Sequence, residues 1–170
     1  MKQLVAVFAT DAVQGEVLCT KLNPHKVVIV ATFTRLPPGD HGFHIHKAGD
    51  LRGEGCKLAC DHFHKGPPSI HGGPPNSCGP RHTGDLGNID LSKRATYTYI
   101  LPNLTLDELV GRSFIVHADP DDLGKGDFPD SKTTGHSGTR IACAVIGRTN
   151  CPVSPSKRRY TLRSKILFKS

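Results

Sequence analysis

The sequence predicts an all-β fold, an eight-stranded Greek-key β-barrel or sandwich that carries two long loops. Three observations favour this class. Short strand-like segments are bounded by turn-forming residues, no long segment holds a helical apolar period, and glycine and proline are frequent, at 18 and 13 of 170 residues. A chain of this length favours one domain with a hydrophobic core of its own.

Seven segments show the strand pattern. They are rich in Val, Ile, Thr, Tyr and Phe, and they end at Gly, Pro, Asn or Asp. In the third segment, alternate residues from Val27 to Phe33 are apolar and would share one face of a strand. The predicted strands are 4–9, 13–19, 26–36, 43–47, 95–101, 114–117 and 142–146.

Two long segments interrupt this pattern. Residues 48–85 are polar and rich in Gly, Pro, His and Cys, and residues 119–139 are rich in Asp, Gly, Lys and Thr. Loops of this length are uncommon in compact domains and are often functional. Each of them needs something that orders it, and a bound metal ion is a candidate for the first.

Positive charge is concentrated at the C-terminal end. The formal net charge is +7, and residues 148–170 contain seven basic residues and no acidic one. We therefore divide the chain into a formally neutral main domain, 1–147, and a basic C-terminal extension, 148–170. We interpret the extension as a solvated tail, with binding of a nucleic acid, an acidic lipid or an acidic partner as the alternative.

No segment is long and apolar enough to span a membrane, and residues 4–9 are too short for a signal peptide. We expect a protein of the cytoplasm, or of the host cytoplasm if the chain is virus-encoded. In that compartment, cysteines are by default reduced thiols or metal ligands. The six cysteines are Cys19, Cys56, Cys60, Cys78, Cys143 and Cys151.

Seven of the ten histidines lie between residues 41 and 82. His44 and His46 are separated by one residue in a predicted strand, so their imidazoles would share one face as half of a copper or zinc site. His117 ends another predicted strand and could join them. The first long loop contains three imidazoles and a carboxylate, a complete tetrahedral set for zinc: His62, His71, His82 and Asp85.

Five segments, in chain order, resemble signatures of the copper/zinc superoxide dismutase family. The similarity extends from Met1 to Gly147. The resemblance implies a Greek-key barrel with a metal-binding loop and an active-site loop. The segments are 41–50 (HGFHIHKAGD), 71–74 (HGGP), 81–88 (RHTGDLGN), 116–126 (VHADPDDLGKG) and 138–147 (GTRIACAVIG).

The resemblance also implies the cofactors, one copper ion and one zinc ion per subunit. Zinc would take the set of three histidines and Asp85. His62 would serve both metals through its two ring nitrogens, which requires the loss of both ring protons. The implied copper ligands are His44, His46, His62 and His117.

The activity implied is an antioxidant one, conversion of two superoxide anions and two protons into oxygen and hydrogen peroxide with Cu(II)/Cu(I) cycling. The catalytic residues would be Arg140, which attracts and binds the anion, and His62, which donates a proton. Asp121 would orient metal ligands from outside the coordination sphere. Cys56 and Cys143 would form a disulfide, and the chain would form a homodimer.

Some positions depart from the family pattern. A lysine expected just before Thr134 is replaced by Thr133 and occurs one place earlier, as Lys132, where we expect its charge to help to attract anions. Cys60 and Cys78 are additional, and we interpret them as free thiols, with a second disulfide or a competing metal site as alternatives. Two other functions stay open: a non-catalytic protein that buffers copper or zinc, and a nucleic-acid-binding module acting through the tail.

Overall fold

The computed structural model describes residues 3–67 and 69–150. Within them the fold is all-β, as predicted, with one short 3₁₀ segment at Glu54–Ala59 and one helical turn, α1, at Ser131–Thr134. The strands are β1 Gln3–Ala9, β2 Gln14–Asn23, β3 Lys26–Arg35, β4 His41–His46, β5 Asp85–Ile89, β6 Thr96–Pro102, β7 Ser113–His117, β8 Arg140–Val145 and β9 Gly147–Arg148.

The strands form two antiparallel sheets, in the orders β6-β3-β2-β1-β9 and β5-β4-β7-β8. Only Ile146 separates β8 from β9, so the last strand passes from one sheet to the other. The backbone N–H of Ile146 donates to the carbonyl of Arg112, and this hydrogen bond anchors the passage between the sheets. Counting β8 and β9 as one bent strand gives the eight strands predicted.

The core lies between the two sheets, and most strands contribute alternate residues to it. Val27, Ile29, Ala31 and Phe33 are all at most 1% exposed, as the alternation in the sequence predicts. Phe43 sits among aromatic side chains from both sheets: its ring centroid is 5.6 Å from that of Phe33 and 5.4 Å from that of Phe114. Such packing makes the barrel a rigid support for side chains at its surface.

One strand was missed by the sequence analysis, because β5 begins at the end of the first predicted loop. Its sequence, DLGNI, has no alternating pattern, and nearly all of it is buried. Gly87 in this strand has a φ of 77°, which favours glycine, and Pro74 packs against it. A strand buried on both faces and interrupted by glycine gives no period-two signal.

In the described part of the chain, no helix has the length and apolar character needed to cross a membrane. Arg148 in β9 pairs with Leu4 of β1, and its guanidinium contacts the carboxylate of Asp107 at 3.2 Å. The remainder of the predicted basic extension, 151–170, lies outside the described residues, and so does Cys151. The partners suggested for this extension would bind residues that the structure does not describe.

Candidate metal centre

The first cluster consists of four buried imidazoles, three of which are supplied by strands. β4 supplies His44 and His46, and β7 supplies His117. His62 reaches them because residues 46 and 62 form an isolated antiparallel bridge. One ring nitrogen from each of the four lies within 4.8 Å of the others. We call this group the strand cluster.

The strand cluster presents nitrogen lone pairs to its centre. His44 Nδ1 and the Nε2 atoms of His46, His62 and His117 are buried without a hydrogen-bond partner. The opposite nitrogens are engaged, since His46 Nδ1 donates to the carbonyl of Cys60 at 2.7 Å and His44 Nε2 donates to Asp121 at 2.9 Å. These bonds fix the tautomers and leave four buried acceptors that suit a cation.

The second cluster, which we call the loop cluster, surrounds one carboxylate oxygen. Asp85 Oδ1 lies 2.9 Å from His62 Nδ1, 3.1 Å from His71 Nδ1 and 3.3 Å from His82 Nδ1. His71 Nδ1 and His62 Nδ1 are 3.3 Å apart. Ligands about 2.0–2.1 Å from a tetrahedral ion lie roughly 3.3 Å from one another, so these four atoms fit zinc.

Backbone groups hold the Asp85 carboxylate in place. Its second oxygen accepts hydrogen bonds from the N–H groups of Gly72 at 3.0 Å and His82 at 2.7 Å. Burial alone would raise the pKa of Asp85, but hydrogen bonds from the three histidines outweigh burial and hold that pKa well below its usual range. The carboxylate is therefore anionic before any ion binds.

Asp121 connects the two clusters. Its Oδ2 accepts from His44 Nε2 at 2.9 Å, and its Oδ1 accepts from His71 Nε2 at 2.7 Å. Asn88 in β5 supports it, because the Asn88 side chain donates to the Asp121 carbonyl and accepts from the Asp121 N–H. Sequence analysis gave Asn88 no role, although it lies in one of the quoted segments.

Burial and mutual repulsion keep the strand cluster neutral. Burial, with a further contribution from His62, lowers the pKa of His46 to about 2 and that of His117 to about 3. His71 in the loop cluster behaves differently. Burial lowers its pKa, but hydrogen bonds to Asp121 and Asp85 outweigh burial and raise it to about 9. A metal ion entering the loop cluster at neutral pH therefore displaces a proton.

Arg140 begins β8 and borders the cleft onto which the strand cluster opens. This cleft has a volume of about 880 Å³, and His46, His62 and His117 contribute to its lining. The Arg140 guanidinium donates to the carbonyls of Cys56 at 2.8 Å and Cys60 at 2.7 Å. These bonds fix a partly buried cation at the edge of the strand cluster, where it can bind a small anion.

A disulfide joins Cys56 in the 3₁₀ segment to Cys143 in β8. It holds the carbonyls that bind Arg140 against the strand that carries Arg140. Cys60 has φ 61° and ψ −156°, a region that is nearly restricted to glycine, and its carbonyl serves both His46 and Arg140. No sequence signal predicted that geometry.

The other described cysteines and Lys132 lie outside the two clusters. Among the described residues, Cys19 is a buried free thiol, and Cys60 and Cys78 are exposed free thiols. The Lys132 ammonium, expected to attract anions, donates to the carbonyl of Gly124. It lines the cleft with that hydrogen bond in place.

Comparison with known proteins places these clusters in a family. The copper/zinc superoxide dismutase (SODC) profile matches residues 13–146. The copper chaperones for superoxide dismutase of Sus scrofa and Homo sapiens are each 42% identical over 139 residues, 81% of the chain and 49% of each relative. The chaperone of Rattus norvegicus is 42% identical over 142 residues, 82% of the chain and 50% of the relative. The chain thus spans about half the length of these curated relatives.

A solved structure gives the same result. The crystal structure of the clock protein EA4 superposes with a TM-score of 0.75 at 37% identity, covering 85% of this chain and 93% of that one. The sequence signatures, the two-sheet fold and the paired histidine clusters agree with these matches. The chain belongs to the copper/zinc superoxide dismutase family.

Proposed function

We propose that the chain is a superoxide dismutase, with copper in the strand cluster and zinc in the loop cluster. The observation that carries this proposal is the set of four unpaired, buried imidazole nitrogens, three of them on histidines that line a cleft beside Arg140. A protein that only stores metal needs the imidazoles but has no use for a fixed guanidinium at the cleft.

The donor sets fit these two metals. Imidazole nitrogens suit both copper and zinc, and three imidazoles with one carboxylate are a typical zinc set. His44, His46, His62 and His117 would hold copper, and His62, His71, His82 and Asp85 would hold zinc. When bound, copper supplies the one-electron redox change that superoxide dismutation requires, and zinc stays at one oxidation state.

The protein's own groups supply anion binding and a proton. Arg140 binds the superoxide anion with a guanidinium that three backbone carbonyls already orient. His62 can carry a proton at Nε2 in the half of the cycle in which that nitrogen is not a metal ligand, and can give it to the bound anion while its Nδ1 stays with the loop cluster. Overall, two superoxide anions and two protons give one oxygen and one hydrogen peroxide, so His62 must be reprotonated in each cycle.

The test is to reload the metal-free chain with zinc and then copper, and to measure metal content and superoxide decay by pulse radiolysis. One copper and one zinc per chain, with rapid decay, would support the proposal. Arg140→Gln should keep both metals and lower the rate by about tenfold or more. The proposal would be contradicted if superoxide decayed no faster with the fully metal-loaded chain than in buffer alone.

A second candidate is copper delivery, favoured by the relatives named copper chaperone for superoxide dismutase. In that role the strand cluster would hold copper for transfer to another protein. Mixing the copper-loaded chain with copper-free, zinc-loaded superoxide dismutase distinguishes the two roles. Transfer of copper with gain of activity in the recipient alone would favour delivery.

Other predictions concern assembly. We propose a homodimer, a cytoplasmic location and a basic extension, 148–170, that is dispensable for catalysis. Analytical ultracentrifugation measures the oligomeric state. Deleting 151–170 should leave superoxide decay unchanged in an enzyme, whereas a nucleic-acid-binding module would lose its partner.

A further inference from the structure

The bridge that brings His62 to the strand cluster also places two opposite charges at the cleft. Lys47 follows His46, and Asp61 precedes His62, so an antiparallel pairing sets them side by side. The Lys47 N–H donates to the Asp61 carbonyl at 2.9 Å, and the Lys47 ammonium lies 3.2 Å from Asp61 Oδ2. Both residues line the same cleft as Arg140.

Asp61 is positioned to act on the anion-binding group. It directly follows Cys60, whose carbonyl binds the Arg140 guanidinium. Burial lowers the pKa of Arg140, and the charge of Asp61 raises it, so the field of this carboxylate extends to the guanidinium. The Asp61 side chain is 86% exposed, which places its charge at the solvent side of the cleft.

We propose that the Asp61–Lys47 pair sets the rate at which small anions enter the cleft. Asp61 opposes the attraction exerted by Arg140, and Lys47 reduces that opposition by pairing with Asp61. This inference rests on the proposed function for its substrate, superoxide, but the pair acts on any small anion that enters the cleft.

An exposed ion pair of this kind contributes little to stability. Its charges nevertheless contribute to the potential that an approaching anion meets at the cleft mouth, and such potentials alter association rates. The effect depends on ionic strength, because the Debye length falls from about 30 Å at 0.01 M salt to about 3 Å at 1 M. Charge substitutions should therefore change rates at low salt and not at high salt.

The test uses Asp61→Asn, Lys47→Gln and the double variant in the copper- and zinc-loaded chain. At about 0.01 M salt, Asp61→Asn should raise kcat/KM for superoxide by roughly twofold to fourfold, and Lys47→Gln should lower it by a similar factor. The double variant should return toward the parent chain. All four proteins should converge near 1 M salt.

Asp107→Asn is the matched control. Asp107 pairs with Arg148 at the same 3.2 Å, its side chain is 76% exposed, and it lines a different groove. This substitution removes the same charge from the chain as Asp61→Asn does. Because Asp107 does not line the cleft, the rate should stay unchanged. Equal effects of Asp61→Asn and Asp107→Asn would show a response to net charge alone and would overturn the proposal.

A second readout separates this inference from the proposed function. Azide binding to the copper-loaded chain, followed by absorption, reports anion affinity without turnover. Asp61→Asn should tighten azide binding by roughly twofold or more at low salt. If the chain binds azide in this way but does not accelerate the decay of superoxide, the proposed activity is refuted and the role of Asp61 is not. Unchanged azide affinity in Asp61→Asn refutes the role of Asp61.

Discussion

The strand cluster and the loop cluster share His62 but are built differently. The strand cluster takes three of its imidazoles from β4 and β7, whose sheet hydrogen bonds hold them in position. The loop cluster takes His71 and His82 from irregular chain and its carboxylate from the first residue of β5. One cluster is fixed by a sheet, and the other depends on contacts among its own members.

The charge distribution follows the same division. The strand cluster has four unpaired nitrogens and no carboxylate, whereas every loop-cluster histidine contacts Asp85. Without metal, the loop cluster can therefore hold itself together through hydrogen bonds, and the strand cluster is held only by its scaffold. This difference predicts that the two clusters will respond separately to substitution.

The largest effect should come from Asp85→Ala. It removes the only carboxylate of the loop cluster, which all three histidines contact, and it deprives the backbone N–H groups of Gly72 and His82 of their acceptor. We expect the metal-free chain to lose about 3–5 kcal/mol of unfolding free energy, and zinc binding to be lost. Urea denaturation and metal analysis measure both. If copper binding were lost equally, the clusters would not be separable.

Removal of the disulfide tests the tether between loop and barrel. In the double variant Cys56→Ser, Cys143→Ser, we expect a loss of about 2–4 kcal/mol in unfolding free energy. The disulfide joins residues that are 87 positions apart, and without it the unfolded chain is no longer constrained by that loop. Copper binding should persist, since the strand cluster is anchored in β4 and β7. Turnover should fall, because the carbonyls that orient Arg140 are released.

Asp121→Asn should affect both clusters to a smaller extent. One oxygen binds His44 and the other binds His71, so copper and zinc affinity should each fall about tenfold to a hundredfold. The control is Asp122→Asn, whose carboxylate contacts Ser131 and the N–H of Gly124 instead of a histidine. Competition with chelators measures the affinities. Weakening of one metal alone would contradict the connecting role.

The effect that is smallest near neutral pH concerns the barrel itself. Burial raises the pKa of Cys19 in β2 from 9.0 to about 12. Between these values the native chain binds more protons than the unfolded chain, so stability is fully present below pH 9 and falls above it by up to about 1.4 kcal/mol per pH unit. Urea denaturation at several alkaline pH values should show a shallower decline in Cys19→Ala.

This alkaline slope also refines the comparison between regions. Cys19 lies in the sheet that supplies no metal ligand, so the difference between Cys19→Ala and the parent chain should be the same with and without metal. A slope that changes on metal loading would mean that the core of the barrel and the metal clusters are energetically coupled.

The sequence was sufficient for the fold class and for the seven strands that are rich in β-branched and aromatic residues and bounded by turn-forming residues. The histidine spacing and the family signatures also identified the residues that the structure brings into two clusters. β5 was missed because its pattern is interrupted by Gly87 and because Asp85 looks like loop sequence. The prediction for Lys132 could not anticipate the carbonyl of Gly124, which lies in a different turn of the loop.

Contacts that depend on register were beyond reach for the same reason. The local sequence predicts neither the hydrogen bonds between Asn88 and Asp121 nor the pairing of Lys47 with Asp61. Each of these contacts joins two segments whose alignment is set by the folded sheets. Local spacing predicts which side chains share a face. It does not predict which distant backbone group lies opposite them.

The backbone of Cys60 has a practical consequence for handling the protein. Its dihedral angles suit glycine, and its carbonyl accepts hydrogen bonds from His46 and Arg140. Within the described part of the chain, its thiol has one hydrogen-bond partner, the carbonyl of Leu58. Cys60→Gly should therefore relieve backbone strain while it removes an exposed thiol that can cross-link two molecules during storage. A concentrated stock of this variant should accumulate fewer covalent dimers with age, as non-reducing electrophoresis would show.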